Sequence, residues 1–161
     1  MTKAPDPLCP LLRNELTGEP YLPLPPPHSN IIITPPRADE AEIAARVALL
    51  NDLRITRYLN VPFRPYEEHH DRPFLQAGVE VTKSIVKEME ENPEKVVKSS
   101  PIWAIRELLE GGEDIYIGQA RLRPWIFDNI GNPQLRKTLT EENTKKLTGD
   151  PTKVWSFGGM Y

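Results

Sequence analysis

The sequence predicts an α+β fold in the order strand, helix, helix and then an antiparallel meander of strands. Three observations carry that reading. Residues 40–51 and 74–91 place apolar side chains at helical spacing. Residues 102–123 hold two strand-like runs joined by Glu110-Gly111-Gly112-Glu113, and the last nine residues, KVWSFGGMY at 153–161, read as one more strand.

Taken in order, the chain begins with a proline-rich stretch. Eight of the 18 prolines fall in the first 30 residues, ending in Leu24-Pro25-Pro26-Pro27. Proline fixes φ and lacks an amide donor, so residues 1–27 are expected to form neither an internal strand nor a long helix. They read as an extended arm that adds little to stability, with an ordered domain over 28–161. Order begins at Ile31-Ile32-Ile33-Thr34, a β-branched run stopped by Pro35-Pro36. Asp39 stands three residues before Glu42, the spacing of a capping box. Ile43, Val47 and Leu50 then recur at i, i+4 and i+7, which predicts an amphipathic helix over 40–51.

Residues 53–66 mix aromatics, arginines and prolines and predict an ordered loop with room for a short helical turn. Pro73 is expected to interrupt the second helix, because its ring clashes with the preceding turn. Beyond it, Leu75, Val79, Thr82, Val86 and Met89 form one face of a helix that ends before Asn92-Pro93. Residues 126–152 are a polar connection, in which Thr140 would cap a short helix, Glu142 would pair with Lys146, and Gly149 would end it.

Composition narrows the function classes. With 27% charged residues and a formal net charge of −3, no basic stripe marks a nucleic-acid binder. The single cysteine, Cys9, cannot form an internal disulfide, and the N-terminus has no apolar run long enough for a signal peptide or a membrane span. A cytoplasmic protein is expected.

Few residues point to chemistry directly. His69-His70-Asp71 invites a metal, but adjacent side chains on a helix diverge by roughly 100°, so solvent-facing histidines and no metal site are expected. Phosphate-cradling and nucleophile-elbow motifs are absent from the sequence. Glu107, Glu110, Glu113 and Asp114 gather at the hairpin and read as a solvated tip. Trp103, Tyr116, Trp125 and Trp155 are expected to fill the core between sheet and helices. Arg57, Tyr58, Phe63 and Tyr66 either line a pocket or pack their loop down.

In sequence order, IIITPPRADEAEIAARVALLND, then PFRPY, PIWAIRE, DIYIG and GDPTKVW resemble the GNAT-type N-acetyltransferase superfamily, most of all its fungal branch. The resemblance covers residues 31–161 and implies a GNAT-like (acyl-CoA N-acyltransferase) N-terminal half. It implies acetyl-CoA as cofactor and an amine as acceptor. KVWSFGGMY would be the fourth strand of the family's sheet, where Gly159, Met160 and Tyr161 map towards the pantetheine site through their backbone. The catalytic base is not identifiable in that strand.

The family's pyrophosphate loop, [QR]-x-x-G-x-[GA], normally follows the fourth strand. The sequence stops at Tyr161 without it, as a truncated product or an incomplete gene model would. The expectation is therefore an N-acetyltransferase in complete form, with this chain inactive or weakly active and binding little acetyl-CoA alone. The alternative is a non-catalytic interaction protein built on the same fold, with an exposed sheet edge open to self-association.

Overall fold

The computed structural model describes residues 8, 10–57, 59, 64–94, 96–97 and 99–160, with the backbone alone at 159 and 160. Among the described residues six strands and four helices follow one another: β1 (Leu12–Arg13), β2 (Pro20–Pro23), β3 (Ile31–Thr34), α1 (Glu40–Asn51), α2 (Leu53–Thr56), α3 (Glu68–Glu91), β4 (Ala104–Leu108), β5 (Asp114–Pro124), α4 (Pro133–Lys145) and β6 (Trp155–Met160). The strands make one antiparallel sheet in sequence order, β1-β2-β3-β4-β5-β6. The predicted α+β class and the hairpin at Gly111-Gly112 are both present, and both glycines take positive φ, at 114° and 89°.

The proline-rich stretch departs from expectation, because β2 lies inside the sheet, between β1 and β3. Its two prolines occupy the first and last positions of the strand, so Tyr21 and Leu22 keep their amides. The Leu24 amide continues the pairing by donating to the Ile31 carbonyl at 2.9 Å. Arg13 further reaches Glu90 on α3 at 2.7 Å, and Glu19 takes Arg37 at 2.5 Å.

Asp39 caps α1 by accepting from the Glu42 amide at 2.8 Å. Glu42 does not return the bond; its carboxylate turns inward and accepts from the Arg37 amide instead. Ile43 from α1, Leu75 from α3 and Trp103, just before β4, form the apolar core, with Ala38 and Val47 against it. Gly78 lets α3 approach: a Cβ there would stand 3.0 Å from the Trp103 ring.

The second helix is longer than predicted, starting at Glu68 and running through Pro73. Pro73 is its sixth residue, so its missing amide removes a single bond near the end, and the helix absorbs it. His70 supports the start by accepting from the Glu67 amide at 3.1 Å. In the 126–152 connection, Thr140 lies within α4 rather than at its start. Asn132 caps α4, accepting from the Gln134 and Leu135 amides, and Pro133 occupies the first turn, a stronger start signal than Thr140. The expected Glu142–Lys146 pair does not form; the Lys146 ammonium bonds the Thr152 carbonyl.

Asn143, 2% exposed, ties this excursion to the sheet. Its amide donates to the carbonyls of Trp125 and Val154, and its oxygen accepts from the Val154 amide. Between β4 and β5, Ile105 stands opposite Gly118 and Arg106 opposite Tyr116, so Ile117 is an extra residue, a β-bulge. Thr34 and Arg106 bond towards the helices, which turns the intervening positions to the other side of the sheet. On that other side Ile115, Leu122 and Phe157 are exposed.

Candidate functional site

Three features could carry function: a buried ionic layer, a groove beside it, and the open edge of β6. The ionic layer lies where α1 and α3 meet the sheet. Arg46, 2% exposed, binds Asp71 through Nε and Nη2 at 2.8–3.1 Å. Its Nη1 donates to the Tyr116 hydroxyl at 3.0 Å and to Gln119 at 2.9 Å. The Tyr66 hydroxyl donates to Asp71 at 3.1 Å. Burial pushes the Tyr66 and Tyr116 phenols up to about 12, with the Asp71 carboxylate adding to the effect at both.

A second cluster adjoins it. Arg106 pairs with buried Glu42, donates from Nε to Thr34 Oγ1 at 2.8 Å, and reaches Asp114 at 3.2 Å. Asp114 also takes Arg37 at 2.8 Å. Each buried arginine in the two clusters meets a carboxylate, which is what buried charge requires, and the clusters tie the helices to the sheet. Glu42 Oε1 alone among their carboxylate oxygens is a buried atom without a partner.

The groove runs between α3 and β5, with a volume of about 390 Å³. Phe74, Ala77, Val81 and Ile85 line it from α3, and Trp103, Arg121 and Arg123 from the sheet side. The helix residues are spaced 74, 77, 81 and 85, a second stripe beside the one that packs on the core. Arg121 lies over the Trp103 ring at 3.7 Å and the Phe74 ring at 4.7 Å. Burial first, then neighbouring Arg46, lowers its pKa. Its Nε is buried and unbonded, and among the described residues no carboxylate pairs with Arg121 or Arg123.

At the β6 edge, Gly159 stands opposite Ala120 and Met160 opposite Gln119. Tyr161 lies outside the described residues. No strand flanks the outer side of β6 among the described residues, and a Cβ at Gly158 would meet nothing within 4 Å.

Other sequence-predicted residues fall as follows. His69 is exposed, its ring tilted 45° against that of His70 with centroids 3.9 Å apart, and the described residues contain no metal-binding group of three or more side chains. Glu110 and Glu113 sit at an exposed hairpin tip as expected, but Asp114 is drawn inward by Arg37 and Arg106. Trp103 and Tyr116 are buried, whereas Trp125 and Trp155 are only partly so, flanking the entry and exit of the α4 excursion. Tyr66 packs its loop down; Tyr58, Phe63 and Cys9 lie outside the described residues.

Sequence reading missed Arg46, Arg106 and Arg121, and met Asp71 only within the His69-His70-Asp71 run set aside as a metal site. Two of these had a signal. Arg46 interrupts the apolar stripe of α1 between Ile43 and Val47, and Asp71 extends the α3 stripe one turn before Leu75. A charge on a core-facing stripe implies a buried partner. Comparison with protein-family models, with curated proteins and with solved structures finds no match to this chain. Among the described residues no helix is long and apolar enough to cross a membrane.

Proposed function

We propose that this chain carries the strand, helix-pair and meander portion of a GNAT-type N-acetyltransferase domain, which in complete form moves an acetyl group from acetyl-CoA to an amine. The observation that supports the reading is connectivity. β3 leads through α1 and α3 into β4, β5 and β6, three consecutive antiparallel strands, as the resemblance implies.

The β6 edge suits an extended ligand arm, because a free strand edge offers backbone donors and acceptors in a row. Gly159 and Met160 would hold the pantetheine arm through their backbone. Acetyl-CoA supplies an acyl group already activated for attack by an amine, and the protein's part is to orient the two and accept a proton. The 161 residues contain no [QR]-x-x-G-x-[GA] segment, so the helix-terminus amides that favour a pyrophosphate are not among them.

Calorimetry tests this with two proteins: the 161-residue chain and the longest product of its reading frame. Micromolar acetyl-CoA binding is expected for a longer product that contains the loop motif, and little heat for the 161-residue chain. A longer product with the motif that ignores acetyl-CoA overturns the reading.

A second reading, a non-catalytic interaction protein, is favoured by the exposed Ile115, Leu122 and Phe157 on one sheet face beside an open edge. A stop codon after Tyr161 in mature transcripts, together with a purified chain that self-associates, supports it over the first.

A further inference from the structure

The groove between α3 and β5 is separate from the β6 edge and stands apart from the acyltransferase reading. Its walls are mostly apolar, yet Arg121 lines it, with Arg123 at its exposed side. Every other buried arginine in this region has a carboxylate: Arg46 has Asp71, and Arg106 has Glu42 and Asp114. Arg121 has two aromatic rings instead. Ring faces hold the flat side of a guanidinium and leave its N–H edge without an acceptor, and no acceptor for Arg121 occurs among the described residues. A half-buried cation in that state calls for an anion.

The walls decide which kind. A phosphate gathers several donors; here the one seated guanidinium is that of Arg121 against Phe74 and Trp103, Arg123 and Ser99 are exposed, and the Thr82 and Ser100 hydroxyls already donate to the Pro101 and Ile102 carbonyls. A carboxylate needs only two parallel N–H groups from one guanidinium, and an apolar chain behind it would cover the walls. The volume is in the range of small-molecule sites. We propose that this groove binds a small organic monocarboxylate, its carboxylate paired with Arg121 and its apolar chain laid along the Phe74–Ile85 face of α3.

The test is calorimetric titration of the 161-residue chain with octanoate, octan-1-ol, octylamine and inorganic phosphate. Octanoate is expected to bind at least about tenfold more tightly than octanol, the scale of one charge-assisted pair, and the other two not at all. Arg121→Met should bring octanoate down to the level of octanol, while Arg123→Met, at the exposed mouth, changes it less than about threefold. Val81→Trp fills the groove from an exposed helix position while leaving the Arg121 guanidinium present, and should abolish binding of both. Circular dichroism confirms the fold of each variant. Equal affinity for octanoate and octanol in the unaltered chain overturns the proposal without any variant. Phosphate binding equal to octanoate, or octanoate binding that survives Arg121→Met or Val81→Trp, overturns it as well.

Discussion

Asp71 on α3 receives three hydrogen bonds from Arg46 on α1, and neither side chain is more than 2% exposed. The pair is held in place by Tyr66, Tyr116 and Gln119, so nothing in it is left to water. Removing one member strands the other's charge in a site that cannot solvate it. Asp71→Ala is expected to cost about 3–5 kcal/mol in urea unfolding. The double variant Arg46→Met/Asp71→Leu should recover most of that loss, because it removes both charges together. A single variant as stable as the native chain would show that water reaches the pair.

The two phenols of this layer give a signature at high pH. Tyr66 and Tyr116 are pushed up to about 12, while the unfolded chain releases such protons near 10. Between those values the folded protein keeps protons that the unfolded chain has lost. Their contribution is therefore fully present below about pH 10 and falls as pH rises towards 12. Phenolate absorbance should show a late component, which Tyr66→Phe and Tyr116→Phe each diminish. A single titration near pH 10 for every tyrosine would contradict the buried geometry.

At Gly78, α3 comes up against Trp103. The glycine's missing Cβ would stand 3.0 Å from a ring that is itself 6% exposed and stacked on Arg121. Gly78→Leu is expected to cost about 1–3 kcal/mol by overpacking. Gly131→Ala, where nothing lies within 4 Å, serves as the control and should be close to neutral. Thermal unfolding of both variants separates the two.

The proline-rich segment is a structural part, and its removal should register. Deleting residues 1–27 strips β2 from the edge of β3 and takes Glu19 from Arg37 and Arg13 from Glu90. A loss of more than about 1 kcal/mol is expected, from strand pairing and a half-buried ion pair together. An unchanged melting temperature would return the segment to the passive arm that its prolines suggest.

Local signals in the sequence led directly to α1, the α3 stripe and the Gly111-Gly112 hairpin, because each is fixed by spacing or by backbone freedom within a few residues. The misread elements depend on partners far away in sequence. Pro20 and Pro23 look hostile to a strand until β2 is seen to meet β3 through Leu22 and Leu24, on either side of Pro23. Pro73 looks like a break until its position near the helix start is known. The ionic layer was half visible, in charges that interrupt apolar stripes, but the identity of each partner belongs to tertiary structure. Gly159 and Met160 fell on the final strand as expected, since a β-rich run after Pro151 needs no long-range information.

Ile117 acts as a phase shifter for β5. Tyr116 faces the helices, and simple alternation from it would turn Gly118, Ala120 and Leu122 the same way. The extra residue reverses the count, so that Gln119 and Arg121 point inward instead. Deleting Ile117 would remove the bulge yet leave Tyr116, Gln119 and Arg121 on the same side, because alternation then runs directly from Tyr116 through Gly118. The ends of the strand and its neighbours would stay where they are. The bulge thus absorbs one surplus residue in β5 without altering which side chains face the helices, so a one-residue length difference at this point is silent for the wall that Gln119 and Arg121 build.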